Sequence, residues 1–200
     1  MNYQEILVEC AKKNGLHQID GMDFWIKTGN LLFIIEDRWL NSKERTWTCS
    51  FKPLYSDELL WRISEIGGGS VETWEDFRKK GTSRRVDGVF VAPAKLISSC
   101  SYELASTEEA IRLVYENKIR EFLEFTETTD ETEYETEKTV SMINILRAIH
   151  EKDYEKAREL TKKIHIWGEN TRPEDEVLWH DDYRQMRRDI LNFLKKQQAL

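Results

Sequence analysis

Three strand-like segments follow one another between residues 22 and 52 with only short polar turns between them. Met22 to Lys27 runs into Thr28-Gly29-Asn30, a turn composition, and then into the aromatic and β-branched run Leu31 to Trp39. A polar tip, Asn41 to Glu44, leads to a third segment from Arg45 to Lys52, in which Trp47, Cys49 and Phe51 alternate with Thr46, Thr48, Ser50 and Lys52. Alternation with period two buries one face and wets the other. Strands joined this closely pair antiparallel, because a parallel connection needs a crossover of a dozen or more residues. A meander is the simplest arrangement.

Helical patterns flank this unit. Asn2 and Glu5 have capping-box spacing, Ile6, Leu7, Cys10 and Ala11 form a stripe, and Gly15 suits the left-handed position after a last turn holding Lys12 and Lys13. The spacing predicts a helix from Tyr3 to Asn14. Ser56 before Asp57 and Glu58 reads as an N-cap for a helix carrying Leu59, Leu60, Ile63 and Ile66, stopped by Gly67-Gly68-Gly69. A short helix over Val71 to Lys80, strands over Gly88 to Ala92 and Leu96 to Leu104, and a long helix opened by the Ser106/Glu109 capping box complete the first part. Strands follow strands, which favours α+β over a parallel βαβ design. The expected fold is an antiparallel sheet packed with helices, followed by a C-terminal three-helix region.

The boundary between those parts is compositional. From Thr126 to Thr139 the chain contains only Thr, Asp, Glu, Tyr134 and Lys138. Such a stretch offers little apolar surface to offset its ordering entropy, so it reads as an exposed linker. The division is then an α+β domain over 1–126, an acidic Thr-rich linker over 127–138 and a helical region over 139–200. In the last, Met142, Ile145, Leu146 and Ile149 make one helix face, and Ala157, Leu160 and Ile164 a second after Asp153. Pro173 opens a third, with Val177, Met186, Ile190, Leu191 and Leu194. Leu146 to Ile164 is similar to one tetratricopeptide-type hairpin, but a solenoid needs about three stacked repeats and no period near 34 residues is present.

The formal net charge of −7 is concentrated. Residues 127–137 hold six acids and no base, whereas 1–126 hold 17 bases against 20 acids and 138–200 hold 13 against 11. The longest apolar run, Leu31 to Ile35, is far below the roughly twenty residues of a membrane span. Met1 is followed by Asn2, Tyr3, Gln4 and Glu5 rather than a basic and then an apolar stretch, so a secretory leader is not expected. Three widely spaced cysteines, Cys10, Cys49 and Cys100, without a Cys-x-x-Cys pair, fit a reducing cytoplasm.

The order of elements in residues 1–126 resembles bacterial domain-of-unknown-function family 4304. The resemblance is carried by the opening helix ending Lys12-Lys13-Asn14-Gly15-Leu16, the hairpin with Phe24-Trp25-Ile26-Lys27, the strand from Trp47 to Phe51, Leu60-Trp61-Arg62-Ile63, the later Trp74, and the helix ending Phe122-Leu123-Glu124. It covers at most the first two thirds of the chain, with the acidic linker and the helical region outside it. It implies a small bacterial α+β domain without a family-wide activity or catalytic residues to transfer. Some such domains are similar to immunity or partner-binding proteins of toxin systems.

No complete catalytic constellation is legible. His17, His150, His165 and His180 have no His-x-x-x-His spacing, and His180-Asp181-Asp182 reads as the polar face of a terminal helix. Gly67-Gly68-Gly69-Ser70 lacks the Gly-Lys-Ser/Thr ending of a phosphate loop and follows a helix rather than a strand. Asp20, Asp23, Glu36 and Asp37 could gather as strand-borne carboxylates of the kind metal-dependent nucleases use, but the acid-x-Lys partner is missing. No cofactor or metal site is expected. Arg78-Lys79-Lys80 and Arg84-Arg85 beside Trp74 and Phe77 have the composition of a nucleic-acid surface, yet they also complement the C-terminal dipole of their helix.

Seven tryptophans are the strongest remaining signal. Trp25 lies between Phe24 and Ile26, so both faces of that hairpin carry large apolar groups and both need a cover. The leading expectation is a cytoplasmic bacterial protein-interaction domain, of immunity or adaptor kind, with Trp25, Trp39, Trp61, Trp74, Arg78, Arg84 and Arg85 as candidate partner-binding residues, since Trp and Arg dominate interface hot spots. The alternatives are a hydrolase or nuclease with a dispersed carboxylate and His site, and a nucleic-acid module through Arg78 to Arg85. Neither the partner nor the oligomeric state is legible.

Overall fold

A computed structural model describes residues 3–64, 92–103, 105–135, 141–163 and 180–198. The predicted helix over Val71 to Lys80 and most of the strand over Gly88 to Ala92 lie outside the described residues, as do Ile66, Gly67 to Gly69 and Pro173. The chain divides into two compact units, residues 1–53 with 94–133 and residues 54–93 with 134–200.

The first unit is the antiparallel sheet with two helices. Its strands are β1 (His17–Asp20), β2 (Asp23–Thr28), β3 (Leu31–Trp39), β4 (Glu44–Pro53) and β5 (Lys95–Glu103), arranged in chain order. The expected meander is therefore present, extended by a strand at each side. Gly29, at φ +57°, occupies the first position of the two-residue turn between Thr28 and Leu31, where a hairpin of this length requires positive φ. Phe33 pairs with Phe51, Ile35 with Cys49 and Asp37 with Trp47, so all six side chains share one face.

Helix α1 (Tyr3–Lys13) buries Ile6, Leu7, Cys10 and Ala11, and Gly15 ends it in the left-handed conformation at φ +77°. Helix α3 (Glu108–Thr128) buries Ile111, Tyr115, Ile119 and Phe122, and its Phe122 ring meets Phe33 edge-on. Its N-cap is Thr107, whose hydroxyl accepts from the Ala110 amide, not Ser106 as the capping-box spacing predicts. The other face of β2 and β3 is also buried, at Trp25, Leu32 and Ile34. Each such side chain contributes about 1.5–3 kcal/mol of transfer free energy.

The second unit contains α2 (Leu54–Ser64), α4 (Met142–His150), α5 (Tyr154–Lys162) and α6 (His180–Gln198). Leu59, Leu60 and Ile63 of α2 share a core with Ile145, Leu146, Ile149, Leu160, Ile190 and Leu194. That packing assigns α2 to the helical unit although it follows β4 directly in sequence, which is where the contact division departs from the compositional one. Ser141 caps α4 and Asp153 caps α5. Between them the Lys152 amide donates to Ile149 O and the Asp153 amide to Ala148 O, a Schellman closure with Lys152 at φ +60°.

Up to Glu135, the last of its described residues, the acidic segment is more ordered than its composition indicates. Helix α3 continues to Thr128, and a 3-10 turn spans Glu131–Glu133, begun by Asp130, which accepts from the Thr132 amide and hydroxyl. Tyr134 is fully buried and donates to the Pro93 carbonyl at 2.6 Å. Thr126 is buried as well. The exposed-linker expectation thus fails at Thr126 and Tyr134, because one aromatic ring supplies the apolar surface that the surrounding Thr and Glu lack.

Candidate interaction site

Trp39 ends β3 and pairs with Arg45 at the start of β4, so both project from the same face of the hairpin. The Arg45 guanidinium lies 4.4 Å from the Trp39 ring centroid, a cation–π contact, and the Tyr3 ring meets Trp39 edge-on at 6.2 Å. Arg45 is buried at 1% exposure, whereas Trp39 stays 55% exposed and the following Leu40 56%. The tip is closed by its own backbone. The Leu40 and Asn41 amides donate to Glu44 O, and Asn41 Oδ1 accepts from the Lys43 and Glu44 amides.

Beneath this tip is a buried polar network. Arg45 Nε donates to both Asp37 carboxylate oxygens at 3.0 Å and Arg45 Nη2 to the Asp37 carbonyl at 3.0 Å. The Tyr102 hydroxyl donates to the same carboxylate at 3.0 Å, and that of Tyr115, from α3, at 3.2 Å. Arg45 Nη2 also lies 2.8 Å from the Met22 sulfur, and Nη1 meets no acceptor. Lys118, one turn along α3 from Tyr115, places its ammonium 4.4 Å from the Tyr102 ring centroid.

Burial raises the Asp37 carboxyl, opposed by the Arg45 guanidinium and the two tyrosine hydroxyls. Burial and the Asp37 charge together push both phenols well above their ordinary range. Every strong interaction of the carboxylate is internal and its side chain is fully enclosed, so the cluster holds Arg45 in position and offers no open acid or base to a substrate.

The strand-borne carboxylates do not gather. Asp37 faces α3, while Asp23 and Glu36 pair on the opposite face, where Arg38 bridges them at 2.5 and 3.4 Å. Among the described residues no group of three or more His, Cys, Asp or Glu side chains could hold a metal ion. Cys10 and Cys49 are buried, with thiols raised by burial, and Cys100 is exposed.

Of the two candidate partner-binding residues whose side chains are described, Trp39 is at the surface and Trp25 is not. Trp25 is buried and stacked on His17 at 4.5 Å, so alternation places it in the packing of the sheet rather than on a free face. Trp61 belongs to α2, with its side chain outside the described set, and Trp74, Arg78, Arg84 and Arg85 lie outside the described residues. Leu40 and the Asp37–Arg45 pair were missed by sequence reasoning. The available signal was parity. Asp37 continues the buried register of Phe33 and Ile35, and Arg45 that of Trp47 and Cys49, so opposite charges occupy inward positions of adjacent strands.

Comparison with protein-family models, with curated proteins and with solved structures finds no match. Among the described residues no helix is long and apolar enough to cross a membrane.

Proposed function

We propose that this chain is a protein-interaction domain whose contact point is the β3–β4 hairpin tip, with Trp39 as the anchor and Leu40 beside it. The observation that carries the reading is the support of an exposed indole by a buried cation. Arg45 below and Tyr3 at the edge hold Trp39 in one orientation, and the hydrogen-bonded tip fixes Leu40. A rigid aromatic side chain loses little conformational freedom when a partner covers it, which is why such residues form hot spots. The resemblance of residues 1–126 to domain-of-unknown-function family 4304 suggests a bacterial immunity or adaptor role, and the three widely spaced cysteines suggest a cytoplasmic setting.

The test is affinity capture from the source organism with the wild-type chain and with Trp39→Ala, using Leu113→Ala as an exposed apolar control on α3. A reproducible protein partner that is lost with Trp39→Ala and kept with Leu113→Ala supports the proposal. Equal recovery by all three variants overturns it.

A further inference from the structure

Among the described residues the sheet ends on a strand that has a neighbour on one side alone. β5 pairs with β4 and is the last strand in the order, so among the described residues no strand pairs with its outer backbone groups. The opposite edge, β1, spans four residues with an irregular register, whereas β5 spans nine. An open edge is a template for strand addition, and native sheets blunt it with proline, charge, bulges or a covering element. In β5 those devices stop early. Lys95 opens the strand, and a bulge follows where Cys49 and Ser50 meet Ser98 and Leu96, leaving Ile97 over. From Ser98 to Tyr102 there is no charge, proline or glycine, and Ser99, Cys100 and Ser101 are exposed.

We propose that β5 is a dimerisation edge, occupied by β5 of a second copy of this chain running antiparallel, with the two-fold axis at Cys100. An axis perpendicular to the sheet superposes like faces, so a strand pairing with its own copy must place one residue opposite itself. Centring on Cys100 sets Ser98 opposite Tyr102 and Ser99 opposite Ser101, and leaves both bulges outside the ladder. End charges select the occupant and the direction. β5 begins at Lys95 and ends at Glu103, so antiparallel addition brings the cationic end of each copy beside the anionic end of the other, while parallel addition sets like ends together. The two Cys100 α-carbons then lie about 4.5–5.5 Å apart. Both thiols face α3, where Lys118 donates to Cys100 Sγ at 3.2 Å. This inference stands independently of the hairpin site.

The experiment is sedimentation of the full chain over concentrations up to about 100 µM, together with a short bis-maleimide. The expected result is a dimer that the reagent joins covalently through Cys100, since Cys10 and Cys49 are buried. Cys100→Ser remains a non-covalent dimer without the cross-link. Cys100→Lys, which sets four ammonium groups around the axis with Lys118, becomes monomeric while its circular dichroism stays that of the wild type. A wild-type chain that is monomeric throughout the range overturns the proposal. So does a dimer that the reagent does not join through Cys100. Should Cys100→Lys lose its fold, sedimentation and cross-linking of the wild type and Cys100→Ser still decide the outcome.

Discussion

Arg45 lies buried beneath an exposed Trp39, its guanidinium 4.4 Å from the indole centroid. The cation is held from the other side by Asp37, so a surface feature and a core ion pair are parts of one arrangement. Removing the buried acid leaves an uncompensated buried charge, because arginine stays protonated in proteins. Asp37→Asn is therefore expected to destabilise the chain by about 3–5 kcal/mol, read as a lower urea midpoint at unchanged slope. A loss below about 1 kcal/mol would show that the pair is not closed as described.

Trp39→Ala removes contact with Arg45 and Tyr3 but creates no cavity, since the indole is more than half exposed. The expected stability loss is about 0.5–1.5 kcal/mol, from the cation–π and ring contacts. A loss above about 3 kcal/mol would make Trp39 a core residue.

Alkaline titration tests the tyrosine pair. Folded-state phenol values of Tyr102 and Tyr115 are raised above the unfolded value of about 10, so the native state keeps two protons that the unfolded chain releases. The stability linked to them is fully present below about pH 10 and is lost as pH rises beyond it. Phenolate absorbance should show Tyr102 and Tyr115 silent until the chain unfolds, and one silent phenol fewer in Tyr115→Phe, where burial and Asp37 still raise Tyr102. Ionisation of all seven tyrosines in the folded protein would contradict the network.

Lys152 occupies the left-handed position that closes α4, where a side chain is unfavourable by about 1 kcal/mol relative to glycine. Lys152→Gly should raise the thermal midpoint, with a gain of roughly 0.5–1 kcal/mol. A lowered midpoint would mean that the turn departs from the Schellman geometry.

The central meander was readable because Trp47, Cys49 and Phe51 alternate cleanly and Gly29-Asn30 is a strong turn signal. β1 was not, since His17–Asp20 contains one apolar residue, Ile19, and its pairing is settled by β2 rather than by its own pattern. The membership of α2 was hidden because an amphipathic stripe shows that a helix packs, not what it packs against. Tyr134 was lost in an acidic stretch whose average composition conceals one buried ring. At the hairpin, tryptophan content pointed to binding, but only the pairing of β3 with β4 separates Trp39, lifted by Arg45, from Trp25, buried against His17.

The most direct measurement of the central claim is the affinity of a captured partner for the wild type, Trp39→Ala, Leu40→Ala and Leu113→Ala by calorimetry. Hot-spot truncation of Trp39 should weaken binding by at least about 2 kcal/mol, roughly thirtyfold, with a smaller loss for Leu40→Ala and none for Leu113→Ala. Unchanged affinity in a folded Trp39→Ala variant would contradict the assignment of the hairpin tip as the contact point.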